Sequence, residues 1–545
     1  MRIPALSSCA SVICACGALL VSSASIRAQD INPTTELAFH RQAVRRFVFS
    51  QEITLGKLAA GETVGFDAMH PVLKTGSLPP AAYRDIGSGF EISGAAKGVS
   101  DSALWVSGIN PYANYIAEVT ALPEGAELAL ELATLDRQTG VSVVLTPGSK
   151  NFVSLRIFKD GKSVREPVLF TGPAPVPPYD VHVQLYGDNL AVFAIKNGVT
   201  AYLGSPEVKE SFGDVIDFRV RSVIAKTSFN LATKVPEGGK IVVGGARSVL
   251  SSGIGQADIR AISYADGTPY FENNRLWFTF SCRGLGTSEA NQGIMSIDPS
   301  VFDPRFEGVL VFDRGDGLLR NDYASHVFYD EKAREWRAVT ACFSNDRGGR
   351  GPSGLAFAHS LHDPRRGFSV MSERQLTPAQ LPRHHEDPSL LYDAAAGKWR
   401  MLTCCFEKEG IRAELFESDT WDGNYRPIAG PVPYDSTGTQ IVKLGSKRYV
   451  FSGASQLPNE RGGGVLAYSY PELNYLGVVK FDLPASMKGG RVWPNIFELP
   501  PGYPARYMAI PMDRMNVPGI AKRNWSYGAL YLFWADTPDI STEAK

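Results

Sequence analysis

Three segments of this chain follow one plan, and no other feature restricts its fold as strongly. In each, a polar stretch leads into an apolar run that reaches a tyrosine, and a second apolar run opens on a tryptophan. The first copy runs from Asp258 through Tyr264 to Trp277, the second from Ser325 through Tyr329 to Trp336, and the third from Arg383-His384-His385-Glu386-Asp387-Pro388-Ser389 through Tyr392 to Trp399. The Tyr-to-Trp spacing is seven residues in two copies and thirteen in the first, where Gly267-Thr268-Pro269 marks an insertion. A hairpin that recurs must bury its apolar face on copies of itself, so the repeat decides the architecture before any residue-level reading.

Two further copies complete the set. One opens at Thr437-Gly438-Thr439-Gln440 and continues at Arg448-Tyr449-Val450-Phe451; the other opens at Trp493-Pro494-Asn495 and continues over 506–510. Outer-strand patterns follow at 354–360, 413–418, 464–469 and 528–533. Small sheets repeated at about 45–65 residues read as propeller blades. The segment before them, 30–246, carries many short strand patterns separated by Pro123-Glu124-Gly125, Pro147-Gly148, Asp160-Gly161 and Gly187-Asp188-Asn189. That spacing predicts a β-sandwich. Glycine pairs at 238–239 and 244–245 lead to a boundary near 247, and seven of the eight tryptophans lie beyond it, so the two parts differ in composition. The expected fold is all-β: a sandwich module over 30–246, then a five-bladed β-propeller over 250–540.

The N-terminus reads as a targeting segment. Arg2 precedes an apolar stretch over 3–21, and Ile26-Arg27-Ala28 ends in a small residue suited to signal-peptidase cleavage. Residues 1–28 are therefore expected to be a signal peptide, with Gln29 as the new N-terminus, a secreted or periplasmic product, and no membrane insertion after cleavage. Four of the seven cysteines remain after that cut, Cys282, Cys342, Cys404 and Cys405, all on the second strand of a repeat. They read as small core hydrophobes, because equivalent places in neighbouring repeats need not lie within disulfide reach. No metal-ligand spacing is present. A net charge of −1 argues against a nucleic-acid partner.

Five blades that each open on a polar motif, with Ala257-Asp258 and Asp387-Pro388-Ser389 among those motifs, resemble the five-bladed β-propeller glycoside hydrolases, the group that includes arabinanases, xylosidases and fructosidases. The N-terminal part loosely resembles a concanavalin-like jelly roll, a module that binds sugar or braces its neighbour; with Trp105 as its single tryptophan, bracing is expected. The resemblance implies an oligo- or polysaccharide substrate, Asp258 as general base or nucleophile, and Asp387 as the residue that orients the sugar and tunes the acid. It calls for no cofactor and leaves room for a structural calcium in the propeller channel. One position departs from the pattern: where the family places a glutamate, at the start of the fourth inner strand, this chain has Thr437-Gly438-Thr439-Gln440.

Glycoside hydrolysis generally needs one protonated and one ionised group flanking the bond. Glu386 and Asp387 are adjacent, so on an extended strand they point to opposite sides, which argues against their acting together. His385, His384 and His326 are then candidates for the missing acid, since an imidazole near its ordinary pKa serves as acid or base near neutrality; the agar-oligosaccharide branch of the resembled group offers a histidine acid as precedent. Arg260, Arg383 and Arg491 stand at strand openings, and their forks suit a uronate carboxylate, with ion pairs between blades as the preferred reading. Trp493 could stack on a sugar face, and Asp322, Glu386 and Gln440 join the candidate substrate-binding set. The basic loop Arg347-Gly348-Gly349-Arg350-Gly351 suggests a rim. Two other classes stay open: a glycan-binding protein without catalysis, and a lyase acting on a uronate-containing glycan.

Overall fold

The computed structural model describes residues 30–536, apart from short segments at 63–64, 75, 77, 285–289, 345–353, 376–380, 382, 409, 460, 489 and 521. The targeting segment 1–28 and the loop 347–351 lie outside the described residues. No described helix is long and apolar enough to cross a membrane.

Two eight-stranded sheets form the sandwich. One is organised on the long strand Lys240–Ser251, which pairs with Asn114–Ala121 on one side and with Phe90–Ser93 and Glu52–Ala59 on the other. The second runs Val153–Lys159, Gly140–Leu145, Glu127–Thr134, Thr227–Val235, Ser100–Gly108. Their inner faces meet through Leu104, Leu130, Phe152, Val181 and Val192, with Tyr115 and Phe229 edge to face at 5.0 Å. Alternation with period two produces this arrangement, one side of each strand entering the core.

Five blades follow. Blade one is Gly255–Ala261, Arg275–Arg283, Asn291–Ile297 and Arg305–Asp313; blade two is Tyr323–Asp330, Glu335–Ala341, Leu355–Ser360 and Gly367–Gln375. The outer strands of these two pair in parallel, Gly308 to Gly367 through Asp313 to Ser372, and fuse them into one sheet. Blade three is His385–Asp393, Lys398–Glu407, Gly410–Ser418 and Arg426–Ala429, and blade four is Thr437–Leu444, Lys447–Ala454, Gly464–Ser469 and Tyr475–Phe481. Blade five takes Ile496–Glu498, Tyr507–Ala509 and Leu530–Ala535 from the C-terminal part and its fourth strand, Ala38–Arg45, from the N-terminal part. The expected boundaries change accordingly. Residues 38–45 belong to the propeller, because Leu530–Ala535 would otherwise present a bare edge, and the last sandwich strand runs on to Ser251 before blade one begins at Gly255.

The sandwich leans on blade one. Tyr112 and Tyr186 are buried among blade-one and blade-five side chains, the Tyr112 hydroxyl donates to the Leu319 carbonyl at 2.8 Å, and Gln51 bonds Pro304 and Phe306 at 2.9 and 2.7 Å. The tryptophans that recur at the second strands, Trp277, Trp336 and Trp399, are buried, as are the four free cysteines.

One backbone detail recurs around the channel. Near the start of each inner strand a residue adopts positive φ: Asp258 (50°), Ala324 (57°), Asp387 (53°), Gly438 (59°) and Asn495 (35°). In four blades it falls inside a register shift, between Ala257 and Arg260, Tyr323 and His326, Glu386 and Ser389, and Thr437 and Gln440. A left-handed residue other than glycine costs about 1–3 kcal/mol and is held by its surroundings. Bulges of this kind re-aim side chains, and here they do so at one mouth of the channel.

Candidate functional site

That mouth is a cavity of about 440 Å³ whose wall includes Asp258, Glu386, Asp387, Thr437, Arg491 and Trp493. Asp258, from blade one, is buried and accepts a hydrogen bond from Arg283 Nη2 at 2.6 Å. Burial disfavours its charge, but the guanidiniums of Arg283 and Arg514 outweigh that cost and hold the carboxyl below its ordinary value.

Glu386 and Asp387 both line the cavity, against the expectation drawn from strand alternation. The left-handed Asp387 breaks the period-two rule at this bulge, so neighbours in sequence share one space. Asp387 Oδ2 accepts from Thr437 Oγ1 at 2.8 Å and from the Gly438 amide at 3.0 Å. Its pKa is raised, by burial first and then by the charge of Asp258. Glu386 is raised to about 8 by burial and by the charges of Asp387 and Asp258, so at neutral pH it carries a proton.

The three histidines stand elsewhere. His326 is buried and lines a different cavity, of about 340 Å³, with Nδ1 accepting from the Leu390 amide at 3.0 Å and Nε2 at 3.1 Å from the Ser263 hydroxyl. His385 has no exposed surface, and its Nδ1 meets Thr403 Oγ1 at 2.8 Å. Burial lowers their pKa values to about 3 and about 4, so both are neutral near pH 7 and hold no proton to deliver as imidazolium. His384 packs on Phe406 at 5.4 Å and stops short of the cavity wall. The carboxyl on the cavity wall with a raised pKa is Glu386.

Several candidate binding residues are structural ties. Arg260 crosses the channel from blade one to the carbonyls of Thr439 at 2.6 Å and Asp387 at 3.1 Å. Arg383 is spent on Glu414, at 2.6 and 2.7 Å, and on Glu407. Gln440 bonds Ile496 through both ends of its amide, at 3.2 and 3.0 Å. Asp322 is buried, bonded to the Ser344 amide at 2.7 Å and to Arg314 at 3.2 Å. Arg491 does reach the cavity, paired with Asp435 at 2.9 and 3.0 Å. Trp493 forms part of the wall with its indole N–H donated to the Ile259 carbonyl.

Sequence reading missed the other half of the wall: Arg283, Tyr323, Phe343, Arg514, Trp525 and Tyr527. Arg283 lies 4.9, 5.2 and 5.5 Å from the ring centres of Tyr323, Trp525 and Tyr527, and Trp525 remains 44% exposed. These residues stand at strand ends and in the loop before the last strand and share no motif; the only local signal was aromatic density at 525–527.

A structural calcium in the channel is not supported by the donors there. The guanidinium of Arg260 already spans it, and a fixed cation repels a second. Among the described residues the single group with metal-ligand proximity is Asp322, Cys342 and Glu373, where Arg314 bonds both carboxylates at 3.0–3.2 Å.

The fold and site thus define an all-β protein, a sandwich packed on a five-bladed propeller whose mouth gathers carboxyls, guanidiniums and aromatic rings. No protein-family model matches the chain, and no curated protein matches it. Solved structures do. The catalytic domain of the Coprinopsis cinerea GH62 α-L-arabinofuranosidase is 10% identical, over 51% of this chain and 90% of that one, with a TM-score of 0.36. An α-L-arabinofuranosidase from Lactobacillus brevis is 14% identical over 51% and 90%, TM-score 0.36. An endo-1,4-β-xylanase from Bacteroides thetaiotaomicron is 14% identical over 52% and 90%, TM-score 0.32. Matches at this level are similarities only; the blade count rests on the strand pairings described above.

Proposed function

We propose that this protein is an exported glycoside hydrolase that cleaves an oligo- or polysaccharide in the propeller mouth. The observation that carries this reading is a pair of carboxyl groups on one cavity wall whose environments push their pKa values apart: Asp258 held ionised by Arg283 and Arg514, Glu386 held protonated by burial and neighbouring charge. Such pairs divide the roles of acid and base. Glu386 gives its proton to the glycosidic oxygen as the bond to the anomeric carbon breaks. Asp258 assists the incoming oxygen, by taking a proton from water or by attacking the anomeric carbon itself. Asp387, fixed by Thr437 and the Gly438 amide, supplies the charge that keeps Glu386 protonated. Trp525 and Tyr527 offer aromatic faces to the sugar.

A second reading has one observation in its favour. The fourth blade presents Thr437 and Gly438 where the resembled group has a glutamate, as a glycan-binding protein that had lost catalysis would. Screening the purified protein on a glycan panel, with mass analysis of products, separates the two. Cleavage that disappears in Asp258→Asn and Glu386→Gln supports the hydrolase; binding without products supports the alternative; an unsaturated, ultraviolet-absorbing product indicates a lyase. Export is tested by sequencing the N-terminus of the mature protein, where Gln29 is expected.

A further inference from the structure

Most ionised groups at the mouth have a counter-charge. Arg283 is bonded to Asp258 at 2.6 Å and Arg491 to both oxygens of Asp435, while Arg260 stands off this cavity wall, donating to the Thr439 and Asp387 carbonyls. Arg514 differs. Its guanidinium lines the cavity beside Asp258 and lies 4.9 Å from the centre of the Tyr527 ring, and none of its N–H groups is taken by an acceptor among the described residues.

The arginine is nevertheless held in place. Asp513, the preceding residue, is buried and accepts from the Ala529 amide at 3.0 Å, the Met515 amide at 3.3 Å and Arg46 at 3.2 Å. The Arg514 stem packs against Gly490 so closely that a Cβ there would stand 3.0 Å from its Cγ. A guanidinium with unspent N–H donors, on the wall of a cavity where Asp258 is already hydrogen-bonded to Arg283, leaves positive charge in excess there. A planar fork of this kind matches carboxylate geometry and the oxygens of a sulfate ester.

We propose that the mouth takes an acidic sugar, with Arg514 as the counter-charge for a carboxylate or sulfate ester on the residue bound beside Asp258. This rests on the glycan-binding side of the proposed function and not on turnover. From the sequence, the arginine forks at 260, 383 and 491 suit a uronate, with ties within the protein as the preferred reading; the structure spends all three on the protein and leaves Arg514 for the ligand.

The test is calorimetric binding to the full-chain Glu386→Gln variant, whose turnover is expected to be about 10²–10⁴-fold slower. The probes are a uronate-bearing oligosaccharide with its carboxyl-reduced counterpart, and a sulfated oligosaccharide with its desulfated counterpart. Binding of one acidic member about 10- to 100-fold tighter than its neutral counterpart is expected, the effect of a hydrogen bond to a charged group, and which pair shows it identifies the anion. Adding Arg514→Met should bring that ratio close to one, while Arg514→Lys, which keeps the charge and loses the fork, should keep an intermediate ratio. Equal affinity for acidic and neutral members, an unchanged ratio in Arg514→Met, or no binding of any probe overturns the proposal. Tight acidic binding by a wild-type protein that cleaves nothing removes the hydrolase and leaves the acidic-sugar site standing; cleavage of neutral glycans with no acidic preference does the reverse.

Discussion

Replacing Glu386 by glutamine removes a proton and little else, which makes it the sharpest test of the chemistry. With its pKa raised to about 8 by burial and by the charges of Asp387 and Asp258, Glu386 is mostly protonated at pH 7, where an ordinary glutamate is almost wholly ionised. Loss of a general acid costs about 10²–10⁴ in rate. We expect Glu386→Gln to lower kcat by that factor on natural glycans, and by much less on an aryl glycoside whose leaving group needs no proton. The pH profile carries the sign. Wild-type kcat/KM should rise as Asp258 ionises, below the ordinary carboxylate range, stay high through neutrality, and fall as pH climbs through about 8 and Glu386 loses its proton. The variant should lose the alkaline limb and keep the acid limb. A glutamine variant that retains full activity on an unactivated glycan, or that keeps the alkaline fall at the same pH, refutes Glu386 as the acid.

Asp258→Asn should abolish turnover while circular dichroism stays native, whereas Asp258→Ala should also destabilise by about 1–3 kcal/mol in denaturant titration, because it removes the carboxylate hydrogen-bonded to buried Arg283. Trp525→Ala should raise KM about tenfold with kcat little changed, since about 1.4 kcal/mol of stacking is lost; an unchanged KM would mean that sugar does not use this face. His326→Ala should lower the melting temperature by leaving the Leu390 amide without its acceptor, at about 1–3 kcal/mol, with KM preserved; loss of activity at unchanged stability would return His326 to the chemistry. Thermal stability of the wild type should fall between pH 4.5 and 8, because the folded state resists ionising Glu386 and the unfolded chain does not, and Glu386→Gln should flatten that slope.

The blade count was legible because the Tyr-to-Trp hairpins repeat, and a repeat is a statement about packing that survives without coordinates. The site was legible only in part. Asp258 and Asp387 stood out as carboxyls at strand openings, but their left-handed backbone did not, since neither is a glycine and local sequence gives no sign of positive φ. The same blind spot separated Glu386 from Asp387 on paper and sent the search for an acid to three histidines. Burial then decided against those: a buried imidazole gives up its proton, while a carboxyl closed beside other carboxylates keeps one. Arg514 and Trp525 were invisible for a different reason. They come from the loop that returns to the last strand, where position is set by tertiary contacts through Asp513 and not by any periodicity.

The fourth strand of blade five also sets an order of events. Ala38–Arg45 leaves the ribosome before any other described strand, and its partner Leu530–Ala535 leaves last. In topological terms the sandwich is an insertion within the propeller, and it can complete its own core while the first strand waits with an unpaired edge, exposed to wrong partners. Closing the ring joins the two far ends of the chain, the slow kind of contact. A front-end truncation made to isolate the propeller would strip this latch and leave a three-stranded blade. Excising 46–254 and rejoining the cut ends would keep all twenty strands of the ring, at the expense of the apolar surface on which Tyr112 and Tyr186 now rest.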